Sequence, residues 1–176
     1  MEAARLKKGL VQVYTGKGKG KTTAAIGQAV RAAGAGLKVY MFQFIKNGSY
    51  SELKALASIR NITVEQCGMG CFIKGRPKSK DRACAEAGLA KAVKRIMSGR
   101  YDVVILDEAN IACALGLIPA AKLSGALSGK PGHVEVIITG RSCPTEILKL
   151  ADLVTEMKKV RHPFDKGILA RRGIEH

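Results

Sequence analysis

Residues 15–23, TGKGKGKTT, decide the fold, because they combine a glycine-rich turn with the basic and hydroxyl side chains that bind phosphate. Alternate positions of this stretch carry no side chain: Gly16, Gly18 and Gly20. The backbone can therefore bring several N–H groups close to phosphate oxygens, and a following helix adds its positive N-terminal end. Lys21 supplies an ammonium for distal phosphates, and Thr22 supplies a hydroxyl for Mg²⁺. The usual motif begins with glycine where this chain has Thr15, yet the stretch predicts a nucleotide-binding loop rather than an unliganded basic turn.

Apolar and helical segments alternate along the chain around this loop. Six strands are expected, at 10–14, 37–44, 62–67, 103–106, 134–139 and 153–157. Two helices are expected, at 21–33 and 80–98. The alternation predicts an α/β fold of the P-loop NTPase (RecA-like) type, in which a mostly parallel sheet of about six strands carries helices on both faces. No linker composition divides the chain, so we expect residues 1–176 to form a single domain.

The apolar run 103–106, VVIL, ends in two acidic residues, Asp107 and Glu108. An unbroken apolar run is typical of a strand that is covered on both faces of a parallel sheet. A carboxylate at the carboxyl end of such a strand can reach a Mg²⁺ ion held by Thr22, since this cation takes one or two protein oxygens and keeps several waters. Acidic residues also favour the first position of a helix, so a helix N-cap is the alternative interpretation.

Two further residues are candidates for contact with phosphate. Arg141 ends the segment Thr-Gly-Arg after an apolar run, and a guanidinium at a strand end can bind phosphate through two N–H groups. His162 lies in Arg-His-Pro-Phe, where its imidazole can face a ligand. A surface arginine and a plain loop histidine are the alternatives, and the two motifs alone leave them open.

The chain carries a large excess of positive charge. Thirty Lys and Arg residues against 14 Asp and Glu residues give a net charge of +16 over 176 residues. An apolar content of 47% excludes general disorder, and no apolar run approaches the ~18 residues that span a bilayer. We therefore expect a globular protein without a membrane partner, whose ligands or partners are anionic.

Five cysteines bear on the compartment: Cys67, Cys71, Cys84, Cys113 and Cys143. Their odd number and irregular spacing predict reduced thiols and a cytoplasmic location. Cys67 and Cys71 have the spacing of half a metal site, but no second pair of cysteines follows. A structural zinc is therefore the less favoured interpretation.

Beyond these motifs, the sequence resembles one family, the P-loop ATP:corrinoid adenosyltransferases. The resemblance extends from Val11 to Glu175 and rests on the order and spacing of several segments. These are YTGKGKGKTTAA at 14–25, QFIK at 43–46, VVILDEAN at 103–110, TGR at 139–141, ADLVTEM at 151–157, RHPF at 161–164 and ARRGIE at 170–175. Each segment alone is modest, whereas their combination is specific.

The resemblance implies a transferase that uses ATP and a corrinoid. In this family the Co(I) centre of cob(I)yrinic acid a,c-diamide, cobinamide or cobalamin attacks the 5′ carbon of ATP, and inorganic triphosphate leaves. The family binds ATP with its phosphates reversed in the loop relative to most P-loop NTPases. A loop that holds a leaving group of about four negative charges gains from extra lysines, and here Lys17 and Lys19 accompany Lys21.

The resemblance also assigns site residues. The ATP-binding positions are Gly16, Lys17, Gly18, Lys19, Gly20, Lys21, Thr22, Thr23, Arg31, Arg141 and His162. It implies that Thr22 and Glu108 hold Mg²⁺, and that Lys21, Glu108 and Arg141 act in catalysis. Phe72 matches a phenylalanine that lies against the corrinoid in relatives and eases reduction of Co(II), whereas Lys74 stands where those relatives have tryptophan. A homodimer is implied as well, and the positive charge outside the loop fits an acidic, flavodoxin-like reductase as electron donor.

Two other functions share the loop and the acid pair. A P-loop nucleoside kinase or phosphotransferase would need a base for its hydroxyl nucleophile, and no further acid stands out near a second substrate loop. A nucleic-acid-binding ATPase fits the net charge of +16, but aromatic residues are only 5% of the chain and form no basic–aromatic stripe for base stacking. We therefore predict the adenosyltransferase, without nucleic acid as a partner.

Overall fold

Six parallel strands form one sheet in the part of the chain that the computed structural model describes, residues 5–48, 50–67 and 77–175. The strands are β1 (Val11–Thr15), β2 (Val39–Phe44), β3 (Ile62–Cys67), β4 (Val103–Asp107), β5 (Glu135–Thr139) and β6 (Leu153–Glu156). Their order across the sheet is β3-β2-β4-β5-β1-β6. Strand β5 thus separates β1, which leads into the glycine-rich loop, from β4, which carries the acid pair. The predicted six-stranded parallel sheet is confirmed.

Helices fill the connections between the strands. They are α1 (Lys21–Gly34), α2 (Ser51–Ala57), α3 (Ser79–Met97), α4 (Ala109–Ala114), α5 (Ala120–Ser128), α6 (Thr145–Leu150) and a 3₁₀-helix at Pro163–Lys166. Helices α1 and α3 confirm the two predicted helices. The other α-helices have nine residues or fewer, which is too short for a clear periodic pattern in the sequence. None of the helices in the described ranges is long and apolar enough to cross a bilayer.

Two apolar clusters pack on opposite faces of the sheet. On one face, Leu89 of α3 belongs to the same cluster as Phe42 of β2 and Leu106 of β4. On the other face, Ala29 of α1 belongs to the same cluster as Ile105 of β4. Neighbouring residues of β4 point to opposite faces, so both faces are covered by helices, as predicted. The alanines of α1 let this helix pack closely on the sheet, which fixes the position of the loop before it.

The structure corrects the expectation that all the cysteines are reduced thiols. Cys67 at the end of β3 and Cys84 in α3 form a disulfide, with their Cα atoms 6.1 Å apart. These residues are 17 positions apart in sequence, and only the packing of α3 beside β3 brings them together. Cys113 and Cys143 are free thiols, whereas Cys71 lies outside the described residues. The disulfide removes the argument from cysteine spacing for a cytoplasmic location.

Candidate functional site

The glycine-rich loop leaves β1 and enters α1, and its surroundings explain two of its glycines. Gly20 has a φ of 118°, in the left-handed region that other residues disfavour. Gly18 donates its N–H to the Met157 carbonyl oxygen at 2.6 Å, so the segment after β6 lies against the loop. A Cβ atom at Gly18 would stand 2.6 Å from that same oxygen. The close approach of two backbone segments therefore requires glycine at this position.

Lys21 begins α1 and reaches back into the loop. Its ammonium donates to the carbonyl oxygens of Gly16 at 2.9 Å and Gly18 at 2.7 Å. Burial lowers the pKa of the Lys21 ammonium, and the nearby Glu108 carboxylate opposes this effect. The loop thus holds a buried positive charge on its own carbonyl oxygens, which a phosphate can replace as hydrogen-bond partners.

Asp107, at the carboxyl end of β4, joins four elements at this edge of the sheet. The residue is fully buried. Its Oδ1 accepts hydrogen bonds from the hydroxyls of Thr22 at 2.8 Å and Thr139 at 2.7 Å. Its Oδ2 accepts from Gln43 Nε2 at 3.1 Å and from Lys46 Nζ at 2.8 Å. Asp107 therefore ties the start of α1 to the ends of β2 and β5. The sequence predicted Glu108 beside Thr22, whereas the structure has Asp107 in direct contact with that hydroxyl.

Glu108 follows Asp107 and faces the site. It lies at the N-cap position of α4, but its side chain makes no capping hydrogen bond. Its backbone N–H donates to the Thr139 hydroxyl at 3.0 Å. Burial raises the pKa of the Glu108 carboxyl, the charge of Asp107 raises it further, and Lys46 lowers it. Because no capping hydrogen bond holds the Glu108 side chain at the helix N-terminus, the side chain is available for a cation.

Three non-glycine residues of the described chain have a left-handed backbone, and all three lie just beyond strands of this edge. They are Ile45 (φ 63°) after β2, Glu108 (φ 60°) after β4 and Ser142 (φ 55°) after β5. A β-branched residue such as Ile45 rarely adopts this conformation, and such strain persists where the surrounding structure holds it. The turn at Ile45 leads directly to Lys46, whose ammonium contacts Asp107.

Gly140, the residue before Arg141, packs closely against α4 and so positions Arg141. A Cβ atom at Gly140 would stand 3.0 Å from both Asn110 Cβ and the Ile111 nitrogen. Asn110 is fully buried and donates from Nδ2 to the Gly140 carbonyl oxygen at 3.2 Å. This contact joins α4 to the end of β5 and sets the point where Arg141 leaves the sheet. Asn110 completes the segment DEAN, but the motif alone does not predict this contact.

The C-terminal segment borders the loop. Lys19 donates from its ammonium to the Ile174 carbonyl oxygen at 3.0 Å and to Glu175 Oε1 at 2.8 Å. Hydrogen bonds from Arg171 and Lys19 lower the pKa of the Glu175 carboxyl to about 2. The Glu175 carboxylate thus holds Lys19 where a phosphate can compete for it, a role that the sequence alone does not predict.

A cavity of about 860 Å³ opens over the loop and the ends of the strands. The predicted site residues that line it are Lys17, Gly18, Lys19, Gly20, Lys21, Thr22, Thr23, Glu108, Arg141 and His162. Gly16 contributes its carbonyl oxygen to Lys21 without lining the cavity. Arg31 is exposed in the last turn of α1, so the structure does not bring it to the other predicted ATP-binding residues. Phe72 and Lys74 lie outside the described residues.

Other lining residues were not assigned from the sequence. They include Lys46, Tyr50, Glu52 and Glu175. A signal for Lys46 was present, because QFIK ends β2 at the same sheet edge as the acid pair. Its contact with Asp107 spans 61 positions of the sequence and depends on the pairing of β2 with β4.

The oxygen atoms at the end of β4 and the start of α1 suit a hard divalent cation. Thr22 donates its hydroxyl proton to Asp107, which leaves its lone pairs for a cation, and Glu108 lines the same cavity. Mg²⁺ takes one or two protein carboxylates and completes its shell with water and nucleotide phosphate. Among the described residues, no group of three or more His, Cys, Asp and Glu could hold a metal ion. Thr22 and Glu108 alone suit an ion whose other ligands are water and nucleotide phosphate.

Comparison with known proteins gives the family. Residues 7–176 match the family model described as ATP:corrinoid adenosyltransferase BtuR/CobO/CobP. The corrinoid adenosyltransferase CobA of Salmonella typhimurium is 36% identical over 173 residues, which cover 98% of this chain and 88% of that protein. The corrinoid adenosyltransferases of a Sinorhizobium species and of Pseudomonas aeruginosa are 37% and 33% identical, over 96% and 98% of this chain and 80% and 86% of theirs. The chain therefore belongs to the ATP:corrinoid adenosyltransferase family, as its motifs predicted.

Proposed function

We propose that this protein, as a single domain of residues 1–176, transfers the 5′-deoxyadenosyl group of ATP to the Co(I) centre of a corrinoid. The family match over nearly the whole chain carries the proposal. In this step an electron pair of Co(I) forms the cobalt–carbon bond, and the C5′–O bond breaks. The electrons of that bond leave with inorganic triphosphate. Since no proton is removed from the nucleophile, the site has to stabilise a leaving group rather than supply a general base.

The positive residues of the cavity support this assignment, because the leaving triphosphate carries about four negative charges. Lys17, Lys19 and Lys21 come from the loop, and Arg141 comes from the end of β5. Lys21, Glu108 and Arg141 line the same cavity, which supports assigning all three to the reacting region. We assign the other lining residues of the loop, together with His162, to ATP binding.

We propose that Thr22 and Glu108 hold a Mg²⁺ ion, with Asp107 orienting the Thr22 hydroxyl. The bound ion would neutralise part of the charge of the phosphates. Asp107 accepts the hydroxyl proton of Thr22, so the hydroxyl oxygen presents its lone pairs to the cavity. Replacing Thr22 by valine removes the hydroxyl ligand and keeps the shape of the side chain. It should weaken ATP binding in the presence of Mg²⁺ more than in its absence.

The transfer is tested by incubating the purified protein with MgATP and a chemically reduced corrinoid. Formation of the cobalt–carbon bond is followed by absorbance, and the product is identified by mass spectrometry. We expect an adenosylated corrinoid from the wild type and a rate about 10²–10³-fold lower for Lys21→Ala, as when a donor to a developing anion is removed. Lys54→Ala, at an exposed position of α2, is the matched control and should keep the wild-type rate. Hydrolysis of ATP to ADP without a cobalt–carbon bond would contradict the proposal.

We propose that Phe72 contacts the corrinoid and eases the reduction of Co(II), as the family resemblance implies. An apolar ring at the lower face of the corrinoid would displace the axial ligand of cobalt. Phe72→Ala should therefore slow the reduction of enzyme-bound Co(II) and leave ATP affinity unchanged. Reduction at the wild-type rate would remove Phe72 from the corrinoid site. Lys74 stands where relatives have tryptophan, so the preferred corrinoid has to be determined separately. Adenosyl transfer rates measured side by side with cobinamide and with cobalamin would identify it.

We further propose a homodimer. The edge strand β6 exposes Leu153 and Val154, and the following segment exposes Val160 (88%), Phe164 (68%) and Leu169 (74%). Exposed apolar side chains favour protein contact, and a second copy of this chain is the occupant that the family resemblance implies. Light scattering after size exclusion should give about twice the chain mass of 18.7 kDa. A monomer at the concentrations used for the activity assay would contradict the dimer.

We also propose an acidic, flavodoxin-like reductase as the electron donor, and the cytoplasm as the location of both proteins. The net charge of +16 includes residues outside the loop, such as Lys7, Lys158 and Arg172, which support an electrostatically steered encounter. The rate of reduction by such a donor should fall as ionic strength rises. A rate that does not depend on salt would contradict steering, and cell fractionation would test the location.

A further inference from the structure

The Asp107 carboxylate has no lone pair left for another ligand. Each of its oxygens accepts two hydrogen bonds, from two hydroxyls on one side and from an amide and an ammonium on the other. An ionised carboxylate offers about four lone-pair positions, so all of them are in use. A cation that comes to Asp107 must therefore replace one of the four donors.

Lys46 is the donor that can leave. Thr139 and Gln43 are fully buried, and Gln43 is held in place by Gln66, whose Nε2 donates to its Oε1 at 2.8 Å. The Lys46 side chain is 17% exposed and lines the cavity. Its ammonium lies on a flexible stem, 5.5 Å from the centroid of the Tyr50 ring, which lines the same cavity. The fourth donor, the Thr22 hydroxyl, is itself a candidate cation ligand, so we expect it to remain in place.

We propose that Lys46 is an exchangeable counter-ion of the nucleotide site, which neutralises Asp107 in the free protein and turns to a nucleotide phosphate when the divalent cation that Thr22 and Glu108 are proposed to hold takes its place beside Asp107. The inference rests on the proposed function in that the nucleotide is ATP. Without a cation beside it, the buried Asp107 charge would be uncompensated. With the ammonium present, a divalent cation is repelled unless phosphate draws the ammonium away. Cation and nucleotide should therefore enter together.

Mn²⁺ binding in the absence of nucleotide and corrinoid tests the exchange. Free Mn²⁺ gives an electron paramagnetic resonance signal that is lost on binding, so the affinity is measured directly. Lys46→Met should bind Mn²⁺ at least about tenfold more tightly than the wild type, because the competing charge is gone. Lys54→Met removes a positive charge from an exposed position of α2 and should match the wild type. Equal Mn²⁺ affinity in Lys46→Met and Lys54→Met would overturn the proposal.

A second measurement uses the wild-type protein, because removing Lys46 leaves a buried charge unpaired and can impair folding. A crystal structure with MgATP bound should have Lys46 Nζ on a phosphate oxygen rather than on Asp107. An ammonium that still contacts Asp107 Oδ2, with cation and nucleotide both present, would overturn the exchange. Neither measurement contains a corrinoid, so a failure of adenosyl transfer in the earlier assay leaves both results interpretable.

Discussion

Replacing Gly18 by alanine tests the close approach of the phosphate loop to the segment after β6. The new Cβ would stand 2.6 Å from the Met157 carbonyl oxygen and 2.8 Å from the carbonyl carbon and oxygen of Lys158. These neighbours are backbone atoms, so no side chain can rotate to make room. Either the loop or the segment beside it must move.

The size of the effect follows from these contacts. Overpacking against a fixed neighbour costs about 1–3 kcal/mol, and loss of the hydrogen bond from the Gly18 N–H to Met157 adds about 1 kcal/mol. The free energy of unfolding should therefore fall by ~2–4 kcal/mol. In a chain of 176 residues, this lowers the Tm by roughly 4–16 °C, at about 2–4 °C for each kcal/mol. The displaced loop should also bind ATP at least about tenfold more weakly.

Thermal unfolding followed by circular dichroism gives the Tm, and isothermal titration calorimetry gives the Kd for ATP. Gly27→Ala is the matched control, since Gly27 is exposed in α1 and a Cβ there meets no atom within 4 Å. Alanine in a helix interior should raise stability by ~0.5–1 kcal/mol over glycine. If Gly18→Ala melts with the wild type and binds ATP equally well, the packing of the loop described above is refuted.

Three further predictions concern the cysteines and the C-terminal segment. Digestion without reductant should release one cross-linked peptide that joins Cys67 to Cys84, and separate peptides carrying free thiols at both positions would contradict the disulfide. Burial raises the pKa of the Cys113 thiol to about 12, so its alkylation at pH 8 should be at least about a hundredfold slower than that of free cysteine and should accelerate as pH rises. Hydrogen bonds from Arg171 and a loop lysine lower the pKa of Glu175 to about 2, so this carboxylate should stay ionised at pH 4 and lose its partners only as pH falls through about 2. A carboxyl carbon titration by NMR with a midpoint near the ordinary 4.5 would contradict that last prediction.

The strands and the loop could be predicted because their signals are local. The run 103–106 is apolar without interruption, and the strand it predicts continues only one residue further, to Asp107. The glycine spacing of the loop reflects a backbone requirement that the sequence displays directly. Helices α4 and α6 have six residues each, and so short a segment cannot show a helical period.

The contacts between distant segments could not be predicted, because they depend on the order of strands in the sheet. Lys46 meets Asp107 only because β2 pairs with β4. The position of Arg31 also depends on the fold, although similarity to the family marks this residue for ATP binding. Ten residues of helix after Lys21, at about 1.5 Å each, carry it to the far end of α1, roughly 15 Å away.

The central claim is that cobalt attacks the 5′ carbon of ATP and that the three phosphates leave as one molecule. The most direct test is ³¹P NMR of the completed reaction with MgATP and a reduced corrinoid. We predict one equivalent of inorganic triphosphate for each cobalt–carbon bond formed, with no ADP above the background seen with Lys21→Ala. ADP and phosphate, or AMP and pyrophosphate, appearing in step with consumption of the corrinoid would contradict the account.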